Sequence, residues 1–215
     1  MTRPIVFLSD YGLADDFVGI CHGVIAQIAP DTRVIDLTHS VPRHDVTRGA
    51  LILGRATAFM PSDAIYVAVV DPGVGSARRS IAVRAGGGTL LVGPDNGLLS
   101  IAWDALGGAV AAVEISADDV LMHPVSKTFH GRDVFSPAAA HLALGRSLEE
   151  LGPSLATIEL GRLETPGPMI ARGAVGARVV GVDGFGNVQL NATLADASSA
   201  TNAIIPRSGR RRPRS

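Results

Sequence analysis

The chain has 215 residues, 47% of them hydrophobic, and a net charge of −1, which is enough apolar material for one large domain with a small appendage. The balanced charge excludes a global field that would recruit nucleic acid or an anionic membrane surface, and no apolar stretch approaches the length of a membrane span. The single cysteine, Cys21, excludes an internal disulfide framework, and the N-terminal apolar run is too short for a signal peptide, so the expected location is the cytoplasm.

In chain order, residues 5–8 read as a buried strand and 15–29 as an amphipathic helix. Residues 34–37 are again strand-like and 46–60 helical. Strands follow at 65–70, 80–84 and 89–92, a helix at 97–106, a strand at 110–115 and a helix at 133–144. Strands alternating with helices imply parallel pairing through crossovers. The expected fold is therefore α/β: an N-terminal three-layer α/β/α sandwich with a mostly parallel sheet. Ligands of such sheets bind beyond the carboxyl ends of the strands, which makes Asp10, Thr38, His39 and Asp71 candidates for one rim. Thr165-Pro166-Gly167-Pro168 breaks the pattern and marks a boundary. Beyond it, strands at 174–182 and 188–190 flank the turn Asp183-Gly184-Phe185-Gly186-Asn187. The expected domains are residues 1–164, a short and incomplete C-terminal β region over 165–206, and a disordered arginine-rich tail over 207–215.

Two loops carry most of the chemistry. Asp71-Pro72-Gly73-Val74-Gly75-Ser76-Ala77-Arg78-Arg79 follows an apolar strand, so a carboxylate stands at its mouth and either arginine can fold back to pair with it. The segment lacks the lysine of a phosphate-binding loop and the following helix of a dinucleotide fingerprint, and taken alone it is a tight turn. Thr128-Phe129-His130-Gly131-Arg132-Asp133 opens a helix. Its histidine is either an ordinary surface residue or part of a site, with Gly131, Arg132 and Asp133 serving as turn, solvated charge and cap.

Asp10, Asp15 and Asp16 cluster at a strand-to-helix junction. Asp15 or Asp16 suits the cap of the following helix, and Asp10 suits ribose hydroxyls or a metal. Cys21 shares a helical stripe with Phe17, Val24, Ile25 and Ile28 and reads as core. His22, His39 and His44 give no ligand spacing on one element with Asp10, Asp15 or Asp71, so no metal is expected. Phe185 beside Asn187 is either a plain hairpin turn or a platform for a nucleobase. Asp95-Asn96-Gly97 reads as a turn and helix start, or as support for the site.

The ordered blocks SDYG-x-x-DD, DLTHS, VVDPGVGSARR, GPDNGLL, TFHGRD-x-FSPAAAHLA and D-x-FGN resemble those of the S-adenosyl-L-methionine hydrolases. These are the hydroxide adenosyltransferases of the superfamily that also holds the adenosyl chlorinases and fluorinases, and the match runs from about residue 4 to residue 191. The resemblance implies attack of water at the ribose 5′-carbon of S-adenosyl-L-methionine, giving adenosine and L-methionine. It assigns Asp71, Arg78 and His130 to the water, with Asp71 and His130 accepting its proton and Arg78 stabilising developing hydroxide.

The same resemblance gives Asp10 to the ribose hydroxyls and carries Asp15 as a further substrate contact. Asp183 falls to the methionine moiety, Asn187 to the adenine, and Phe185 to packing on the base. It implies no cofactor, no metal, and a homotrimer whose sites lie between subunits. The match fades after Leu190, where the family carries a complete C-terminal β-domain, so a shortened or altered lobe is expected here. The alternatives are a halogenase-like adenosyl transfer, a nucleoside- or S-adenosyl-L-methionine-binding protein with little turnover, and a metal phosphohydrolase using Asp10, Asp16, His39 and Asp71.

Overall fold

The computed structural model describes residues 2–164, 167–171 and 173–202. The chain divides into two compact units, the first ending at Leu163 and the second beginning at Glu164.

The first unit is built on strands β1 (Ile5–Ser9), β2 (Val34–Thr38), β3 (Ile65–Val69), β4 (Ser80–Ala85), β5 (Leu90–Pro94), β6 (Ala109–Glu114) and β7 (Ser154–Leu155). They form one sheet in the order β2-β1-β3-β5-β4-β6-β7. The pairs β1/β2, β1/β3 and β3/β5 are parallel, whereas β4/β5, β4/β6 and β6/β7 are antiparallel. All strands except β4 and β7 therefore run one way.

The parallel strands β1, β3 and β5 are near-continuous apolar runs because both sheet faces are covered there. Ile5, Phe7, Ile65, Val67 and Val69 point to one layer, packed by Cys21 and Ile25 of α1 (Phe17–Ile28) and by Ala139 and Leu142 of α4 (Ser136–Ala143). The alternate residues Val6, Leu8, Tyr66 and Ala68 point to the other, packed by Ala50 and Leu53 of α2 (Val46–Ala56) and by Ala102 and Trp103 of α3 (Ser100–Ala105). This is a three-layer α/β/α sandwich. Asp45 caps α2 by accepting the Arg48 N–H at 2.8 Å. Gly54 brings α2 against α3, for a Cβ there would lie 2.5 Å from the Ile101 side chain.

Several expected boundaries shift. The helix expected over 46–60 gives way after Ala56 to a 3₁₀ turn, and the one expected from residue 97 starts at Ser100. The crossover rule fails at β4, because β4 and β5 are joined by the short connection 86–89 through Gly87 and Gly88, both at positive φ. A connection that short permits only antiparallel pairing.

In the second unit, β8 (Met169–Ala171) pairs with β9 (Ala174–Gly176), and β10 (Val179–Val182) with β11 (Val188–Leu190), both antiparallel. Helix α5 (Leu194–Asn202) follows. The single strand expected over 174–182 is thus two strands, interrupted where Arg178 N–H donates to Asn191 Oδ1 at 2.7 Å. The expected tail over 207–215 lies outside the described residues.

Candidate active site

Strands β1, β2 and β3 are parallel neighbours, so the loops at their carboxyl ends share one edge of the sheet. These loops are stitched together by hydrogen bonds from main-chain N–H groups. Asp10 N–H donates to Val69 O, Gly12 N–H to His39 O at 2.7 Å, and His44 N–H to Asp10 Oδ2 at 2.9 Å. A cleft of about 190 Å³ opens there, room for several waters at roughly 30 Å³ each. Asp10, Asp71, Arg43, His44 and His130 supply its polar lining.

Asp71 leaves the sheet just after β3, and the turn that follows folds back so that Arg78 faces it. Arg78 Nε lies 2.9 and 3.0 Å from the two Asp71 oxygens, and Nη2 also donates to Oδ2. Nη1 donates to Ser80 Oγ at 2.7 Å, and the guanidinium carbon lies 5.3 Å from the centre of the Phe135 ring. The pair is buried, with side chains 5% (Asp71) and 10% (Arg78) exposed. Arg79, the other partner considered for Asp71, instead donates to Asp95 Oδ2 at 2.8 Å. In an extended segment successive side chains face opposite ways, so only one of two adjacent arginines can turn back to Asp71.

The loop before α4 reaches this pair because two glycines permit it. Gly75, at φ +77°, lies so close to the Lys127 carbonyl that a Cβ would sit 2.3 Å from its oxygen. Gly131 faces the Tyr11 hydroxyl, where a Cβ would be 2.1 Å away. Residues 131–135 form one turn of π-helix running into α4, a local widening that often marks functional positions. Asp133 caps nothing. It is fully buried, takes Arg132 Nε at 2.6 Å and Ser126 N–H at 2.8 Å, and so ties the loop carrying His130 to its own helix.

His130 Nδ1 stands 2.7 Å from Arg78 Nη2. A guanidinium has only donors, so Nδ1 is the acceptor and the proton of the neutral ring sits on Nε2. Burial, and next the Arg78 cation, hold the His130 pKa below its ordinary 6.5, against the opposing pull of Asp71, Asp133 and the Ser126 backbone. Arg78 is thus a clamp that fixes a carboxylate and an imidazole together, and it holds His130 as a donor through Nε2.

Asp10 also lines the cleft, with Oδ2 occupied by His44. Asp15 is exposed and is not among the lining residues, and Asp16 occupies the cap position of α1 without a side-chain capping bond. Asp183, Phe185 and Asn187 share one turn of the second unit. Asp183 Oδ1 accepts the N–H groups of Phe185 and Asn187, both at 2.9 Å, and Asn187 Nδ2 donates to Oδ2 at 2.8 Å. That turn holds Phe185 outward, 95% exposed.

The sequence reading overlooked an aromatic wall. Tyr11, Phe17 and Phe129 meet with ring centres 5.1–5.8 Å apart, and all three line the cleft. Phe17 begins the stripe that includes Cys21, and its place at the first turn of α1 carries it past the core to the rim. Cys21 itself is fully buried, with its thiol pushed up to about 11 by burial, and belongs to the core as expected. Asn96 supports the rim by donating from Nδ2 to Val70 O at 2.9 Å, next to Asp71.

A second histidine–carboxylate group lies behind the rim. Ser9 Oγ is 2.8 Å from His39 Nδ1, and His39 Nε2 is 3.0 Å from Asp36 Oδ1. The order of groups is that of a serine hydrolase, but Ser9 is 0% exposed and its oxygen accepts the Tyr11 N–H. No substrate can reach it. Its work is to hold Tyr11 and the loop after β1.

Residues 5–152 match the model of the SAM hydroxide adenosyltransferase N-terminal domain. The chain is 55% identical over 203 residues to an (R)-S-adenosyl-L-methionine hydrolase of Salinispora arenicola, covering 94% of this chain and 77% of that protein. It is 43% identical to the enzyme of the same name from Thermus thermophilus, covering 86% and 72%. A fluorinase of an Actinoplanes species is 30% identical, covering 92% and 74%. A conserved protein of Thermotoga maritima with a crystal structure superposes with a TM-score of 0.86 at 35% identity, covering 91% of this chain and 74% of that one. With the family model spanning most of its first unit and these relatives matched across both, the chain belongs to the SAM hydroxide adenosyltransferase family.

Proposed function

We propose that this protein hydrolyses S-adenosyl-L-methionine to adenosine and L-methionine, with the clamped group Asp71–Arg78–His130 holding the attacking water. The observation that carries the reading is this buried carboxylate and imidazole, joined by one guanidinium at the mouth of an aromatic-walled cleft. In the reaction the water oxygen bonds to C5′ and the C5′–S bond breaks. Its electron pair stays on sulfur, so methionine leaves as a neutral thioether and needs no acid to expel it. The one proton to be removed goes to Asp71 and then to solvent. His130 has its lone pair engaged by Arg78, so it does not compete for the proton. This chemistry calls for no metal and no redox cofactor.

The aromatic wall of Tyr11, Phe17 and Phe129 suits a sulfonium, whose positive charge is attracted to ring faces. Asp10 is in place for ribose hydroxyls. Hydrolysis is favoured over halide transfer because the carboxylate of Asp71 at the nucleophile's position repels an anion and welcomes water. The relatives' names specify the (R) epimer at sulfur, and we extend that preference to this chain.

We also place Asp15, Asp183, Phe185 and Asn187 on the substrate, in a site completed by a neighbouring subunit of a homotrimer. Supporting this, Phe185, Val182 and Val188 of the second unit are all exposed in the single chain, an apolar set that subunit contact would cover. The single buried thiol accords with a cytoplasmic setting. Among the described residues, no helix is long and apolar enough to cross a membrane.

The test is incubation with each sulfonium epimer separately, in the presence of EDTA, with and without added chloride, followed by chromatography of nucleosides. Adenosine and methionine in equal amounts, faster from the (R) epimer and indifferent to chelator and chloride, are expected. A 5′-chloronucleoside, or binding without product, would overturn the hydrolase reading.

A further inference from the structure

The side chains of His22 on α1, Asp36 on β2 and His39 just beyond β2 converge on one point. Each histidine brings its Nε2 to the same carboxylate oxygen, Asp36 Oδ1, at 2.8 Å for His22 and 3.0 Å for His39, and the three ligand atoms all lie within 4.8 Å of one another. None of the three lines the cleft. Chain spacing hid the group, because its members come from a helix, a strand and a loop, and Asp36 had no motif of its own apart from the DLTHS block.

We propose that this group is a binding site for a borderline divalent transition-metal ion such as zinc, distinct from the hydrolytic cleft. Two imidazole nitrogens and one carboxylate oxygen form a donor set suited to Zn²⁺, Co²⁺, Ni²⁺ or Cu²⁺, and unsuited to Mg²⁺ or Ca²⁺, which require oxygen ligands. With bonds of about 2.0–2.1 Å in a tetrahedral site, ligand atoms stand roughly 3.3 Å apart. Opening the two short contacts by a few tenths of an ångström meets that spacing. Two N–H donors crowded on one oxygen, while the carboxylate has a second oxygen to offer, is an arrangement that a cation between them relieves.

The surroundings also fit. To ligate through Nε2, an imidazole must carry its proton on Nδ1 and have an acceptor there. His39 has one, Ser9 Oγ at 2.8 Å, and the edge of its ring is fixed by Phe7, whose centre is 4.8 Å away. His39 is buried, whereas the side chains of His22 and Asp36 are 36% and 44% exposed. That combination anchors one ligand rigidly and leaves an entry path and an open coordination position toward solvent. Because α1 and the edge strand β2 each contribute, metal binding ties the helix to the sheet edge.

The experiment is calorimetric titration of the untagged, chelator-treated and desalted full chain with ZnCl₂, with CoCl₂ titrated in parallel by visible absorption. One saturable equivalent is expected for both metals, with the intense visible bands of low-coordinate cobalt and no response to MgCl₂. His22→Ala and Asp36→Asn each weaken binding at least about tenfold, and His123→Ala, at the exposed His123–Asp118 pair, leaves it unchanged. His22 lies on the helix surface, so its variant keeps the fold, and the cobalt spectrum reads the native protein without any substitution. Absence of saturable binding in the native chain, or equal affinity in His22→Ala, would overturn the proposal. Neither result bears on hydrolysis, which is read from adenosine release in EDTA.

Discussion

At the rim, Asp71 and His130 share Arg78; two strands over, Asp36 and His39 share a contact chain that ends on Ser9. Both groups pair a carboxylate with an imidazole, and the second has the more familiar order of a hydrolytic triad. Access separates them. Asp71 and His130 line the cleft, whereas Ser9 has no exposed surface and spends its oxygen on Tyr11. The central residue differs as well. A guanidinium offers only protons, so it holds a carboxylate and a neutral imidazole side by side at the cleft. A serine with both capacities filled from within only braces a loop.

The largest effect expected from breaking this contrast is at Asp71. Asp71→Asn keeps the shape but removes the proposed proton acceptor and Arg78's counter-charge, and turnover should fall at least about a hundredfold. Thermal melting belongs beside the assay, since an uncompensated buried cation costs about 3–5 kcal/mol. An Asp71→Asn enzyme that melts normally and turns over normally would erase the distinction between the two groups.

Gly75→Ala comes next. It touches no substrate, but its Cβ would enter the Lys127 carbonyl at a positive φ, forcing apart the two loops that carry Arg78 and His130. Stability should drop by more than about 1 kcal/mol in urea unfolding, and turnover by about tenfold or more through misplacement.

The pH profile sharpens the role of the imidazole. His130 is held below 6.5 chiefly by burial, then by Arg78. The unfolded chain therefore takes up that proton at higher pH than the folded one. Stability then rises with pH through the window beneath 6.5 and is lost on acidification. A proton arriving at Nδ1 must also displace the Arg78 N–H, so kcat/KM should fall on an acid limb below pH 6.5. His141 is shifted in the same direction, first by burial, and contributes to the stability term alone. An acid limb centred above 6.5 would assign it to another group.

The smallest effect on turnover is expected at Ser9. Ser9→Ala leaves the Tyr11 N–H and His39 without their partner and should cost about 1–2 kcal/mol of stability, with turnover held within about threefold. A folded Ser9→Ala protein without activity would make the buried group the catalytic one.

Much of this was legible in the linear chain. Apolar runs announced β1, β2 and β3, and an aspartate at the end of one of them announced the rim. Helix α1 appeared in the 3.6-residue stripe of Cys21 and Ile25, and α2 in the helical reading of residues 46–60. What escaped had weak local signals. Strand β7 has two residues, β8 has three, and α5 is nine residues of modest apolar content. The reversed β4 escaped because direction is set by the length of its connection to β5 rather than by its own residues.

The sequence alone determined the inventory: an α/β sandwich, two loops bearing Asp71 and His130, and the blocks that identify the family. These depend on period, composition and order, which are local or one-dimensional properties. Only the tertiary structure decided the partnerships. Arg78 rather than Arg79 reaches Asp71 because an extended segment alternates its faces. Arg132 belongs to Asp133, and Phe17 leaves the core for the cleft wall. His22 and His39 meet over Asp36 because a helix packs beside the edge strand. Each of these depends on which surfaces the packed layers bring within bonding distance, and no spacing along the chain encodes that.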